Sequence, residues 1–331
     1  MKNITVIGGG TGSFTVLTGL KKHSGIKLSA IVPSTDSGGS TGKLRDEFGY
    51  LPMGDIRQCL VALAENEEEQ FLLRELFQYR FSKGENSLQG HNFGNLFLTA
   101  LTDIFNGDQI KAIKKVQELL NIKGNVYPIT LNNCHLVAEY ENGEIVIGEH
   151  NIDEPSYPHD GRLRIKNLYT EPKSQTYKEV KNCIKKSDLI VIGPGDLYTS
   201  IVANLAIDAV PKLIREAEAK VVYILNLVTK FGQTYDFKAS DFVNEIVKYL
   251  GKMPDYILVN NTSLPSDILK RYTLENAKVV ENDLKLPNVI LDDFLASEEI
   301  KTVQGDILKR SLIRHDGDKV ARTLVNLLAL S

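Results

Sequence analysis

Ile4-Thr5-Val6-Ile7-Gly8-Gly9-Gly10-Thr11-Gly12-Ser13 runs into the apolar spacing of Phe14, Val16, Leu17 and Leu20. It reads as a strand, a glycine-rich turn and a helix. A second strand, Leu28-Ser29-Ala30-Ile31-Val32, follows at once. Residues 1 to 32 therefore predict the strand–loop–helix–strand opening of a parallel sheet. The second strand leads into Pro33-Ser34-Thr35-Asp36-Ser37-Gly38-Gly39-Ser40-Thr41-Gly42, closed by Lys43 and Arg45. Glycine lets backbone N–H groups approach an anion, and a helix N-terminus adds a positive field. Two such loops at neighbouring strand tips predict a site for a diphosphate or a nucleotide. The same glycines would equally serve as tight β-to-α turns, and the second loop as a merely polar surface loop.

Further along, apolar residues at helical spacing predict a helix from Ile56 to Ala64, for which Asp55 is a good N-cap. Residues 66 to 69 break that pattern with charge. Phe71, Leu72, Leu76 and Phe77 begin another amphipathic segment, and Ser82 to Gly90 reads as a polar loop. His91-Asn92-Phe93-Gly94-Asn95 stands at the start of an apolar helix through Ile104, and another helix is expected over about 108 to 120. From Gly124 to about Thr170 the period becomes two, with Asn142-Gly143 as a hairpin signal. This region is read as a small antiparallel β insertion. Alternation of strands and helices then resumes. Strands are expected at 188–192, 220–225 and 256–259, with helices at 201–217, near Ala239 onward and 318–329; residues 262 to 317 look less regular.

The sequence has 331 residues, a formal net charge of −3 and three cysteines. Both signs of charge are interspersed, which argues against tight non-specific nucleic-acid binding. No apolar run nears the ~20 residues of a membrane span. The first strand leaves no room for a signal peptide, so a cytoplasmic location is expected. Cys59, Cys134 and Cys183 lack metal-ligand spacing and read as free thiols.

In an open parallel sheet, ligands sit beyond the carboxyl ends of the strands, and the polar stretches fall there repeatedly. Asp36 and Asp55 are candidate ligands for Mg²⁺ on a diphosphate, since hard oxygen donors suit that ion; Asp55 could instead be only a helix cap. His91 suits a neutral hydrogen-bonding role or a capping one. Gly193-Pro194-Gly195-Asp196, with Tyr198, Thr199 and Ser200, looks like a further anion-facing turn. Asn226, Thr229 and Asn260 suit contacts to a base, ribose or sugar, or plain loop caps. Dinucleotide binding is weakly supported: Ser13 stands where a third glycine belongs, and no carboxylate ends the second strand. There is no nucleophile elbow, no His-Glu-x-x-His and no Walker A register, because Leu44 follows Gly42-Lys43.

Taken together, Gly8 to Gly12, Asp36 to Arg45, Leu51-Pro52-Met53-Gly54-Asp55-Ile56-Arg57, Gly90 to Asn95, Gly193 to Ser200 and Asn226-Leu227-Val228-Thr229 resemble one family. It is the gluconeogenesis factor family (YvcK-type), within the 2-phospho-L-lactate transferase (CofD-like) superfamily. The resemblance covers nearly the whole chain. It implies a single CofD-like α/β domain over 1–331, Rossmann-like, with a mostly parallel sheet and the β-rich insertion at about 124–170. It also implies a bacterial cytoplasmic protein needed for growth and cell shape on gluconeogenic carbon sources, acting by binding UDP-sugars. The transferase branch instead implies Mg²⁺-dependent transfer from a nucleoside-diphosphate-linked donor. By position, Gly9, Gly10, Thr11 and Gly12 would bind ligand, as would Asp36, Gly38, Gly39, Ser40 and Thr41. Asp55, Arg57, His91, Asn95 and Asn226 would surround them; Lys43, Gly193, Gly195 and Thr229 complete the expected set. A homo-oligomer is expected. One departure bears on chemistry: Ser37 stands where the family usually has a second Asp, which weakens a two-carboxylate metal site.

Overall fold

The computed structural model describes residues 1–65, 68–81, 88–155, 158–297 and 312–329. Its strands are β1 (Lys2–Ile7), β2 (Ile26–Val32), β3 (Asn125–Pro128), β4 (His135–Tyr140), β5 (Ile145–Ile147), β6 (Ile165–Glu171), β7 (Leu189–Ile192), β8 (Lys220–Ile224), β9 (Tyr256–Asn260) and β10 (Val289–Asp292). Seven of them form one sheet in the order β10-β9-β8-β7-β1-β2-β3, and every pairing in it is parallel. The other three form an antiparallel sheet, β5-β4-β6. The Rossmann-like expectation is met.

The central strands are apolar throughout because both faces of the sheet are covered. β7 shows how a continuous apolar run serves two cores: Ile190 and Ile192 point to one, Leu189 and Val191 to the other. The second of these cores takes the helices Gly10–Leu20, Gly54–Leu63 and Gly317–Ala329. The first takes Lys178–Lys185, Val210–Glu216 and Ala239–Leu250, together with Leu136, Ala138 and Tyr140 of β4. The small sheet thus shares the main hydrophobic core. It also holds the expected hairpin, in which Glu139 of β4 pairs with Ile145 of β5 across the Asn142-Gly143 turn.

Several expectations need correction. The period-two pattern places β3 in the antiparallel insertion, but it is the parallel edge strand beside β2, with Ile31 opposite Tyr127. Its period-two pattern arises because an edge strand is covered unevenly: Val126 and Pro128 are buried and Asn125 and Tyr127 half-buried. The segment closed by Lys43 and Arg45 is a helix, Gly39–Phe48, started at Gly38 and stopped by left-handed Gly49 at φ 70°. Helix 201–217 is broken: a π-helical stretch, Leu197–Val202, and a short Ala203–Leu205 precede Val210–Glu216. Pro211 opens that last helix and cannot continue an upstream one, since it lacks an N–H and crowds the preceding turn. β10 lies in the stretch read as irregular. Glu68 and Glu69, read as a break, begin the helix Glu68–Gln78. Residues 66 and 67 of that break, 82–87 of the polar loop and 298–311 lie outside the described residues. Among the described residues, no helix is long and apolar enough to cross a membrane.

Candidate ligand-binding site

From β1 the chain steps outward through β2 to β3; from β7 it steps the other way through β8 and β9 to β10. The loops leaving β1 and β7 therefore diverge, and a crevice opens between them at the carboxyl end of the sheet. A cavity of about 750 Å³ occupies this place. Its wall takes residues from the loops after β1, β2, β7 and β8. Asn260, after β9, is not on the wall; its side chain donates to the Thr262 carbonyl and accepts from the Phe294 N–H.

The first loop brings Gly10, Thr11 and Gly12 to the wall. Glycine is required here by close approach. A Cβ on Gly12 would lie 1.8 Å from the Pro194 carbonyl oxygen, and one on Gly9 would lie 2.4 Å from Ser200 Oγ. The β1 and β7 loops are thus packed backbone against backbone, with Gly9 and Gly193 behind the wall and Gly195 on it. Asn226 ties in the β8 loop by donating Nδ2–H to the Gly195 carbonyl at 2.7 Å.

The second loop places Asp36, Gly38, Gly39, Ser40 and Thr41 on the wall, at the N-terminus of helix Gly39–Phe48. Neither Lys43 nor Arg45 lines the cavity. Lys43 is exposed and off the wall. Arg45 is buried against the connection between β3 and β4, giving hydrogen bonds to Asn133 Oδ1 at 2.9 Å and the Cys134 carbonyl at 2.7 Å. Arg45 thus anchors the helix instead of meeting a ligand. Arg45→Lys keeps the charge but loses the fork that reaches both acceptors. We expect a loss of about 1–2 kcal/mol in denaturant unfolding, with ligand affinity unchanged.

Asp55 corrects one of the alternatives left open above. Helix Gly54–Leu63 begins after Met53, no side chain caps it, and Asp55 sits in its first turn on the cavity wall. Burial, and then the charge of Asp36, push its pKa up to about 7. Asp36 is also raised, chiefly by burial, although the Gly38 N–H at 2.9 Å favours its charged form. Arg57 lies beside them, donating Nε–H to Asn95 Oδ1 at 2.9 Å and Nη1–H to the Phe77 carbonyl at 3.0 Å. Asn95 in turn donates Nδ2–H to Thr41 Oγ1 at 3.3 Å. His91 is not on the wall; its Nδ1 lies 3.1 Å from Ser40 Oγ, and burial and Lys43 lower its pKa. The cap of helix Phe93–Ile104 is Asn92, which accepts from the Asn95 N–H. Thr229 is on the wall, and its N–H donates to the Lys278 carbonyl.

Sequence reasoning missed the residues that the small sheet contributes. A short helix, Glu149–Asp153, follows β5 and brings Glu149 and Asp153 to the wall. Ser37 docks this helix: its hydroxyl accepts the His150 N–H at 3.0 Å and its N–H donates to Glu149 Oε2 at 3.3 Å. The pKa of Glu149 is pushed well up, by burial and then by Asp36. Lys230, also unforeseen, gives Nζ–H to Asp153 at 2.6 Å and to Asp196 at 3.0 Å. Burial would lower the Lys230 pKa, but the two carboxylates outweigh it and raise it. Asp153 is held down by Lys230 against its own burial, whereas burial wins at Asp196, which is raised. The only signal for the helix was the polar run after Gly148, which resembles a loop.

Among the described residues, no three or more His, Cys, Asp or Glu side chains are grouped to hold a metal ion. The pair Asp36 and Asp55 fits the lighter requirement of Mg²⁺, one or two carboxylates completed by ligand phosphates and water.

A family model described as 2-phospho-L-lactate transferase CofD matches residues 4–308. The gluconeogenesis factor of Bacillus subtilis is 39% identical over 98% of this chain and 98% of its own length. That of Halalkalibacterium halodurans is 38% identical over 98% and 96%. A crystal structure of a Bacillus halodurans protein superposes with a TM-score of 0.87 at 36% identity, covering 98% of this chain and 99% of that one.

Proposed function

This chain belongs to the 2-phospho-L-lactate transferase CofD family, and from that premise we propose that it is a regulator that binds a UDP-sugar in the cavity between the β1 and β7 loops. The observation that carries the reading is the cavity itself. About 750 Å³ at the switch point of a parallel sheet is room for a nucleotide sugar. Its wall offers a helix N-terminus for the diphosphate, Asn226 and Thr229 for neutral polar groups, and Arg57 as a cation. Relatives that match along nearly the whole chain carry the name gluconeogenesis factor, which supports a role tied to gluconeogenesis; a part in growth and cell shape on gluconeogenic carbon sources belongs to the same proposal.

A second reading, a Mg²⁺-dependent transferase using a nucleoside-diphosphate-linked donor, is favoured by one observation: Asp36 and Asp55 face the cavity together. When bound, Mg²⁺ would neutralise the diphosphate, and these two carboxylates would hold it. The chain's own groups would orient the donor through the N–H groups of Gly39 to Thr41.

Thermal-shift titration separates the two. UDP-sugars, GDP, NAD and UMP are each added with and without Mg²⁺. A UDP-sugar at a hundred times its dissociation constant should add ~2.7 kcal/mol of stability. No shift with any UDP-sugar would sink the first reading, and a Mg²⁺-requiring preference for GDP would promote the second.

A further inference from the structure

Ser40 lies at the start of the ten-residue helix Gly39–Phe48, is buried, and is on the cavity wall. First-turn N–H groups have no acceptor within their own helix, so this end favours an anion. The Ser40 hydroxyl has one hydrogen and two lone pairs to place. One lone pair receives the Asn92 N–H at 3.3 Å. Among the described residues, its remaining partner is His91 Nδ1, at 3.1 Å.

That contact has two forms. If Nδ1 is bare, the Ser40 O–H donates to it, and an oxygen lone pair is left toward the cavity, which repels an anion. If Nδ1 carries the ring proton, it donates to Ser40 Oγ, and the Ser40 O–H is free to donate into the cavity. Burial and the nearby Lys43 favour the uncharged ring, with Glu47 opposing and Arg80 adding to Lys43. The two forms are then tautomers of one neutral imidazole and differ in no net charge. The neighbouring Thr41 has no such freedom, since Asn95 donates to its oxygen and its hydroxyl bears on Asp36.

We propose that His91 is a positioning residue: by donating Nδ1–H to Ser40 it turns the Ser40 hydroxyl toward a phosphate-type anion bound at this helix start. Anion binding and the Nδ1–H tautomer therefore favour each other. This rests on the anion-binding part of the function proposed above, but not on the identity of the sugar or the nucleoside.

Two probes test it, inorganic pyrophosphate and UDP-N-acetylglucosamine. The ring nitrogens of His91 are followed by ¹⁵N NMR of histidine-labelled protein, with the signal assigned from His91→Asn. Adding either probe should move Nδ1 to the shift of a protonated nitrogen. Ser40→Ala and His91→Phe should each weaken binding about tenfold, as for a lost hydrogen bond to a charged group, and the double variant should be no weaker than either. His91→Asn, whose amide N–H can donate to Ser40, should recover part of the loss. Additive losses, or an Nδ1 that stays bare in the complex, overturn the inference. UDP-N-acetylglucosamine bound without this coupling leaves the functional reading standing and removes the inference. Pyrophosphate bound with the coupling, while no UDP-sugar binds, does the reverse. If neither probe binds, there is no anion to turn toward and the inference falls. The NMR arm reads the unsubstituted protein, and the His91 ring can also be assigned through bonds from its own backbone, so a variant that fails to fold does not decide the matter.

Discussion

Gly12→Ala is expected to remove about 3–4 kcal/mol of stability and to abolish ligand binding with it. The substitution sits in a helix, where alanine is normally better than glycine by about 1 kcal/mol. Here that gain is overwhelmed. The new Cβ would stand 1.8 Å from the Pro194 oxygen and 2.5 Å from its carbonyl carbon. Both are backbone atoms, so no rotamer change relieves the clash, and the β1 and β7 loops must separate. The cavity lies between those loops, so its geometry changes by the same displacement. Gly25→Ala is the control: φ is +79° there, but nothing stands within 4 Å, and only the left-handed strain of about 1–2 kcal/mol applies. Urea unfolding of the two variants in parallel gives the measurement. If Gly12→Ala unfolds at the wild-type midpoint, the close packing of the two loops is not what requires glycine.

The second large effect is on pH. Without ligand, the protein should be most stable near pH 4 and lose roughly 2 kcal/mol by pH 8. Asp55 sets the sign. Its folded pKa of about 7 lies above the ordinary carboxylate value of 3.8. Between those values the folded state holds more protons than the unfolded one, and stability falls as pH rises. The contribution is complete below about pH 4 and is gone once pH has passed through about 7. A three-unit shift alone would correspond to ~4 kcal/mol. Asp55 is partly open to the cavity and titrates jointly with Asp36, so about half of that is expected. Asp36, Glu149 and Asp196 shift the same way, and Asp153 shifts the other way, losing its contribution on acidification. Asp55→Asn should flatten the profile and raise stability at pH 8. Denaturation midpoints from pH 4.5 to 8.5 read this directly; a midpoint that climbs toward pH 8 would mean that the carboxyls are ionised together at little cost.

What was legible in the sequence follows from where the signal is local. The β1 and β2 runs and their glycine loops announced themselves because parallel strands are apolar throughout and sharp turns are rich in glycine. The Asn142-Gly143 hairpin is equally local. Glu149 and Asp153 were not legible, because a five-residue helix has too few turns to show a period. Their short helix is docked through Glu149 and His150 on Ser37, more than a hundred positions away. Lys230 is a single charge in a loop until Asp153 and Asp196 are brought to it. Asp55 looked like a cap because caps and cavity carboxylates are drawn from the same residue types, and only the position of Met53 as the cap separates them. β10 is partly exposed along its four residues, so it lacked the apolar run that marked β7.

The central pairing has a consequence for the order in which the molecule is made. β1, made well before β7, sits between β2 and β7, with Ile4 opposite Leu189. A nascent chain that ends before β7 has both glycine-rich loops and Glu149, but no opposing wall. Asn226 and Lys230 arrive later still, and His315, also on the wall, follows them. Contacts this distant in sequence are made slowly, after much loop-closure entropy has been lost. A ligand of this cavity would therefore meet a complete wall only after His315 has emerged, and would reward completed folding without nucleating it.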